Sequence, residues 1–131
     1  MLPERTAMNR QEVFIWCQKQ YGTQPDYPWN DDDAVLRHSG TGKWYAVLIH
    51  VSRKRLGLAG EGMADVMNLK CDPLLIGSLR MQPGYCAAYH MNKDRWVSVL
   101  LGGPARDEDV KALIDMSFRL TGQKKGRAKA K

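Results

Sequence analysis

The sequence predicts an α+β fold, a two-layer α/β sandwich in which helices cover one face of a mainly antiparallel sheet. The chain has 131 residues and fits one domain with one core, since typical domains contain about 100–150 residues. Apolar residues recur at helical spacing in three segments and form strand-like runs in five others. The resulting order, α-β-β-β-α-β-β-α, lacks the regular alternation of strand and helix that is typical of parallel sheets.

The first half of the chain is predicted to contain a helix and a hairpin. Asn9 is suited to cap the start of helix one, because its side chain accepts hydrogen bonds from free first-turn amides, and Gly22 is suited to end it. Two prolines and clustered Asn and Asp residues favour a non-helical connection at 24–33. Strands are then predicted at 34–38 and 44–51, joined by a loop with the glycines that a hairpin turn favours.

The second half is predicted to contain a third strand, a second helix, two more strands and a third helix. A flexible basic excursion leads into strand 63–70, after which Asp72-Pro73 marks a helix start, because Asp caps first-turn amides and Pro fits the first helical position. Strands follow at 85–89 and 96–101. Helix three begins in an acidic segment, which complements the helix dipole, and ends at Gly122. The buried face of helix two is predicted to consist of Leu74, Leu75, Ile76 and Leu79.

The positive charge of the chain is concentrated at its C-terminus. The net charge is +6, but five of the 20 basic residues lie in 123–131, so the other 15 face 14 acidic residues and the body carries only +1. We therefore expect a flexible N-terminus at 1–8, a folded domain at 9–122 and a disordered basic tail at 123–131. The tail is either a solubilising terminus or a polyanion contact whose affinity falls with salt.

Composition and cysteine spacing indicate the class of protein. No run approaches the roughly 18 apolar residues of a membrane span and the start lacks a signal-peptide core, so we expect a cytoplasmic protein without membrane contact. Cys17, Cys71 and Cys86 are too widely spaced for a disulfide framework or a zinc site, and we interpret them as reduced, packed thiols. The helix start after Cys71 could lower the pKa of its thiol, but no sequence-neighbouring His completes a catalytic pair.

The sequence predicts no enzyme, no cofactor and no metal site. His38, His50 and His90 form no metal or catalytic motif, and no paired catalytic carboxylates are evident. Asp31–Asp33 lack the alternating ligand spacing of an EF-hand loop, which favours a solvated turn. Only convergence in space, such as His90 meeting Cys71 or an aspartate in a cleft, would reopen the enzyme hypothesis.

Several short motifs resemble those of the MmcQ/YjbR family. The resemblance covers roughly residues 9–121, and Phe118 stands where the family often has Tyr. The matching segments are Tyr27–Trp29, Gly42–Ala46, Asn68–Pro73, Tyr89–Trp96 and Asp115–Phe118. The single family-motif residues are Lys70, Asp72, Pro73, His90, Asn92, Lys93 and Trp96.

The resemblance implies a secretion-chaperone-like fold and a DNA-binding function through a double-wing arrangement of hairpin loops. The functional part of this expectation rests on fold analogy. Basic side chains in the wings would contact phosphates, so DNA binding is expected to be salt-sensitive and weakly sequence-selective. The residues proposed to contact DNA are Lys43, Arg53, Lys54, Arg55, Lys93 and Arg95.

The alternative function is a peptide or protein interaction module of chaperone-like fold, without catalysis. Such a module would bind a partner strand or helix at an open sheet face or edge. Its physiological partner and oligomeric state are not fixed by the sequence. Exposure of the aromatic residues Tyr27, Trp29, Trp44, Tyr45 or Trp96 would favour this interpretation.

The family-motif residues also have structural interpretations. His90 and Asn92 are typical of turns, where side chains bind nearby backbone groups, and Trp96 is expected to pack across the sheet. Lys93 and Arg95 are better ligand candidates, because each would form charge-assisted hydrogen bonds with a phosphate.

Overall fold

The computed structural model describes residues 8–122, which form three helices and a five-stranded sheet. The predicted basic tail at 123–131 and the first seven residues lie outside the described residues. No helix of the described part is long and apolar enough to cross a membrane. The predicted element order is confirmed, with α1 at Arg10–Tyr21, β1 at Ala34–Arg37, β2 at Trp44–Ser52, β3 at Met63–Lys70, α2 at Pro73–Arg80, β4 at Tyr85–Ala87, β5 at Trp96–Leu100 and α3 at Asp107–Gly122.

The sheet has the order β1-β2-β3-β5-β4, and every pair of neighbouring strands is antiparallel. The central pair, β2 and β3, runs from the Ala46–Leu69 pair to the Ser52–Met63 pair. β5 then lies beside β3, with Trp96 opposite Lys70. The ends of β3 and β5 that carry these two residues therefore lie at the same end of the sheet as the start of β2. The predicted α+β class is confirmed.

Both predicted helix starts are confirmed by their capping geometry. The Glu12 amide donates to Asn9 Oδ1 at 2.8 Å and the Asn9 amide donates to Glu12 Oε1 at 3.0 Å, which forms a capping box at α1. Gly22 ends α1 with a left-handed φ of 71°. At α2, Asp72 Oδ1 accepts a hydrogen bond from the Leu74 amide at 3.0 Å.

α3 is hydrogen-bonded to the sheet next to a β-bulge. The register between β1 and β2 shifts by one residue after Leu36, and Tyr45 is the extra residue on β2. Ser117 of α3, which is fully buried, donates from Oγ to the Tyr45 carbonyl at 2.6 Å and accepts from the Lys70 amide at 2.9 Å. One hydroxyl therefore satisfies two backbone groups on different strands and fixes α3 against both.

The two faces of the sheet are covered differently. The helices cover one face, where the main core includes Leu36, Leu48, Met67 and Leu69 of the sheet, Val13 and Cys17 of α1, and Val110 and Ile114 of α3. The opposite face, called the outer face below, carries Val35, Val47, Ile49, Val51, Ala64 and Val66. Loops rather than helices cover it, through Leu56 and Leu58 of the 53–62 loop and through Tyr89 and Met91 after β4.

The prediction of which α2 residues are buried is partly wrong. Ile76 is buried and Leu79 is partly buried, but Leu74 is 89% exposed and Leu75 is 40% exposed. Residues three apart share one side of a helix, so the pair that faces the sheet, Ile76 and Leu79, directs the first two leucines toward solvent. The run of three consecutive apolar residues, 74–76, concealed this, because a run without gaps does not define a face.

Two other boundaries differ from the prediction. β4 ends at Ala87 rather than at residue 89, because the Tyr89 amide donates to the Ser98 hydroxyl at 3.3 Å and His90 has a left-handed φ of 66°. Met8 was expected to lie in the flexible N-terminal segment, but it is buried in the main core and its carbonyl accepts from Gly102. The remaining strand ends differ by at most one residue.

Candidate functional site

The outer face of the sheet contains a cleft with a volume of about 330 Å³. Alternate apolar side chains of β2 point to this side of the sheet and form its floor. Because the floor belongs to the central strand pair, the cleft has a rigid base, whereas its rim is made by loops. The walls include Trp29, Asp33, Trp44, Asn68, His90 and Met91.

Two tryptophans form an aromatic corner in the cleft. The rings of Trp29 and Trp44 have centroids 5.6 Å apart and planes at 83° to one another. Trp29 is nonetheless 46% exposed, so part of its apolar surface remains in contact with solvent. Next to this corner, the Arg37 guanidinium carbon lies 5.9 Å from the Trp44 ring centroid, and Arg37 pairs with Asp26 at 2.7 Å.

A buried polar network attaches the far wall of the cleft to the sheet. Asn68 lies on β3 and is fully buried, and its Nδ2 donates to the Tyr89 carbonyl at 2.9 Å. Its Oδ1 accepts a hydrogen bond from the Ser98 hydroxyl of β5, which in turn accepts from the Tyr89 amide. The network therefore satisfies both backbone groups of Tyr89 and holds the start of the connection between β4 and β5 against the sheet.

The connection between β4 and β5, residues 88–95, contains a turn and a segment that lines the cleft. The Asn92 carbonyl accepts from the Trp96 amide at 3.0 Å, and Asn92 Oδ1 accepts from the Asp94 amide at 2.8 Å. Asn92 thus has the turn function that we expected of it. His90 instead lines the cleft, with its ring centroid 4.2 Å from that of Tyr89.

The six residues proposed to contact DNA form two groups at opposite ends of β2. Lys43 directly precedes β2, and Arg53 directly follows it. A strand rises about 3.3 Å per residue, so these two positions are roughly 30 Å apart. The Arg95 carbonyl accepts from the Cys71 amide just beyond β3, which places Lys93 and Arg95 at the end where Lys43 lies. The first group is Lys43, Lys93 and Arg95, and the second is Arg53, Lys54 and Arg55.

Hydrogen bonds hold the 53–62 loop, which we predicted to be a flexible excursion. Arg53 Nε donates to the Ala59 carbonyl at 2.7 Å, and the Arg53 amide donates to the Gly62 carbonyl at 2.9 Å. Arg55 Nη1 donates to Tyr89 Oη at 3.0 Å, so this loop contacts the wall of the cleft. Lys54 remains exposed.

An acidic grouping lies at the other rim of the cleft. Arg10 binds both carboxylate oxygens of Asp65, at 2.8 and 3.1 Å. His50 Nδ1 lies 3.4 Å from Asp32 Oδ1 and 3.6 Å from Asp33 Oδ1. One ligand-type atom each from Asp32, Asp33 and His50 lies within 4.8 Å of the others, but exposed acidic groups commonly form such groupings without a metal ion, and we assign none.

The three cysteines have the environment of packed thiols. Cys17 and Cys71 are buried and Cys86 is half-buried, and all three are free. Burial raises the pKa of the Cys17 thiol to about 11 and also raises the pKa of Cys71. At Cys71 the neighbouring Asp72 carboxylate adds to the effect of burial, so the pKa is raised rather than lowered as the following helix start suggested. The residues that line the cleft include His90 and Asp33 but not Cys71.

The fold and the cleft define a class of protein: a small two-layer α+β domain with an aromatic, ligand-sized cleft on the sheet face opposite its helices. Comparison with known proteins places it more closely, since a sequence profile of the YjbR family matches residues 18–120. The chain belongs to the YjbR family, as its motifs indicated.

Individual relatives support this assignment. The Bacillus subtilis protein YyaQ is 38% identical over 116 residues, which cover 87% of this chain and 98% of YyaQ. A crystal structure of a Pseudomonas syringae protein aligns with a TM-score of 0.84 at 47% identity, covering 87% of this chain and 99% of that one. A Deinococcus radiodurans protein with a DUF419 domain shares the fold, with a TM-score of 0.68 at 21% identity over 93% of this chain and 84% of that one.

Sequence reasoning missed part of the cleft. Asp33, His50 and Met91 were not proposed as lining residues, because they are far apart in the chain and meet only when the outer face forms. Asn68 appeared only as part of a family motif. An asparagine between Met67 and Leu69 in an apolar strand was the available signal, since a buried amide requires partners.

Proposed function

We propose that this protein is a non-catalytic, cytoplasmic DNA-binding protein that contacts the phosphate backbone through its basic loops. The free cysteines are compatible with a reducing compartment. The supporting observation is that some basic side chains are paired with carboxylates, whereas most of the exposed ones in the proposed DNA-binding loops are not. Arg10, Arg37 and Arg119 each lie within 2.8 Å of a carboxylate oxygen. Within residues 8–122, no carboxylate forms an ion pair with Lys43, Lys54, Lys93 or Arg95, all of which are exposed.

The spacing of the two basic groups also supports this proposal. Lys43 and Arg53 are roughly 30 Å apart along β2. One turn of B-DNA advances about 34 Å, so a duplex that lies along the strand direction presents phosphates to both groups on one side. These contacts would be made to the backbone, and they would carry little sequence information.

A salt titration tests the proposal. We expect the affinity for a short duplex, measured by fluorescence anisotropy, to fall about 100-fold between roughly 50 and 200 mM salt if four phosphates are contacted. Because each lost phosphate contact lowers the salt slope by about 1, Lys54→Gln combined with Lys93→Gln should lower it by about 2.

Lys19→Gln combined with Arg80→Gln is the matched control, since it removes the same charge from exposed positions on α1 and α2. This control should leave the slope unchanged within about 0.5. The proposal is wrong if no DNA binds at low salt, if both double variants behave alike, or if removal of residues 123–131 abolishes binding completely.

A second candidate function, a protein interaction module, is supported by exposed apolar side chains on α2 and at its C-cap residue, Met81. Leu74 is 89% exposed and Met81 is 87% exposed. They are seven residues apart, with Gly77 and Ser78 between them, and so form a narrow stripe along one side of α2. Apolar anchors at this spacing, separated by small residues, are typical of surfaces that bind a partner helix.

Sedimentation velocity and affinity capture test this second candidate. Leu74→Gln combined with Met81→Gln should abolish self-association or partner capture, because it removes both anchors without changing charge. The variant with Lys54→Gln and Lys93→Gln should retain them. If the α2 variant keeps every association that the unmodified protein makes, the stripe is not an interface.

A further inference from the structure

We propose that the cleft on the outer face binds an organic cation, an amine or quaternary ammonium ion that carries a small apolar group. This ligand is distinct from the proposed nucleic-acid contacts, because no lysine or arginine is present among the described residues that line the cleft. The cleft volume of about 330 Å³ falls at the lower end of the range for small-molecule sites.

The aromatic corner suits the charged end of such a ligand. Cations bind over aromatic faces within about 6 Å of the ring centroid, and tryptophan is the strongest partner. The Trp29 and Trp44 centroids are 5.6 Å apart with planes at 83°, so a cation over the face of one ring would also lie near the other ring. Arg37 already lies 5.9 Å from the Trp44 centroid, so the 46% exposed Trp29 ring offers the more open surface to a ligand cation.

The charges around the cleft favour a positive ligand. Asp33 supplies a carboxylate to the lining, and its Oδ1 is held by the His50 amide at 3.1 Å. Arg10 also interacts with Asp33, but its guanidinium is bound by both oxygens of Asp65, and Arg37 pairs with Asp26 at 2.7 Å. Arg55 contacts the opposite wall of the cleft, through Tyr89 Oη. An anionic ligand would lie next to the Asp33 carboxylate and be repelled by it.

The rest of the cleft suits the apolar end of the ligand. The floor is formed by Val47, Ile49 and Val51, and Met91 adds a flexible apolar wall. The side-chain amide of Asn68 is already used by Tyr89 and Ser98, so it offers little additional polar recognition. Specificity would therefore come from charge and apolar shape.

Choline and its uncharged carbon isostere, in which a tert-butyl group replaces trimethylammonium, form a matched pair of probes. The chain has four tryptophans, and their indole N–H signals can be followed by two-dimensional NMR. We expect choline to shift the Trp29 and Trp44 signals saturably while those of Trp16 and Trp96 remain in place. The uncharged isostere should bind at least about fivefold more weakly.

Asp33→Asn should weaken choline binding about fivefold or more, because it removes the charge but keeps the oxygen that accepts from His50. Asp109→Asn is the matched control, since Asp109 is exposed on α3 at the opposite face of the sheet, and it should change the affinity by less than about twofold. Trp29→Ala should abolish saturable binding, and because Trp29 is 46% exposed we expect the variant to stay folded, which its NMR spectrum checks.

Equal affinities for choline and the isostere would overturn the assignment to cations. Unchanged Trp29 and Trp44 signals up to about 50 mM choline, where millimolar affinity would saturate the site, would overturn the site itself. Both results are independent of the DNA titration, because Lys54 and Lys93 lie outside the cleft lining.

Discussion

Replacing Asn68 with alanine should destabilise the protein by roughly 2–4 kcal/mol, the largest loss expected for a polar side chain here. The change leaves the Tyr89 carbonyl without a partner and the fully buried Ser98 hydroxyl without its acceptor. Because both polar backbone groups of Tyr89 depend on this network, its amide should also lose protection from hydrogen exchange. Urea unfolding and hydrogen exchange measure the two effects.

A double-mutant cycle separates the network from simple loss of volume. Ser98→Ala removes another member of the network, so the double variant should lose clearly less than the sum of the single losses, with a coupling of about 1 kcal/mol or more. Gln20→Ala, an exposed amide truncation on α1, should change stability by no more than about 0.5 kcal/mol. Additive losses, or a loss below about 1 kcal/mol for Asn68→Ala, would contradict the prediction.

Several residues of the motifs that identified the family have structural explanations. Asp72 caps α2, Asn92 closes the turn before β5, and Ser117 connects α3 to two strands. Phe118 packs between the rings of Tyr21 and His38, at centroid distances of 3.9 and 4.2 Å. None of these residues lines the cleft, but other residues of the same motifs do, namely Trp29, Trp44, Asn68 and residues 89–91. The motifs therefore include residues that hold the fold together and residues that form the candidate site.

The fold was predictable because its signals are local. Caps, glycine stops and strand-like runs occur within a few residues of each other, so Asn9, Gly22 and Asp72 marked helix ends correctly. The strand order was not predictable in the same way, since it depends on which strands pair across the sheet. The bulge at Tyr45 likewise depends on its tertiary partner, Ser117.

The candidate site was less predictable because it is assembled from distant segments. Trp29 and Trp44 are separated by a whole strand and meet only because the segment before β1 folds onto the outer face. The basic loops were visible as charge in the sequence, but their separation into two groups follows from the length of β2. Charge can be counted in a sequence, whereas its arrangement in space requires the topology.

Two glycine-to-alanine substitutions should change stability in opposite directions. Gly84 is buried before β4 with φ of 96°, and a Cβ there would lie 3.0 Å from the Ala105 backbone nitrogen. Gly84→Ala should therefore destabilise the protein by roughly 2–4 kcal/mol, because an unfavourable backbone conformation adds to overpacking against a backbone that cannot yield. Urea unfolding of the purified variant measures this loss.

Gly77→Ala is the matched substitution in α2. A Cβ at this position meets no atom within 4 Å, and the residue lies inside the helix. Alanine loses less backbone entropy than glycine on folding, so Gly77→Ala should stabilise the protein by about 0.5–1 kcal/mol. A shift of both urea midpoints in the same direction would contradict this argument. The opposite signs are informative because the chemical change is identical, and only the backbone angle and the surrounding space differ between the two sites.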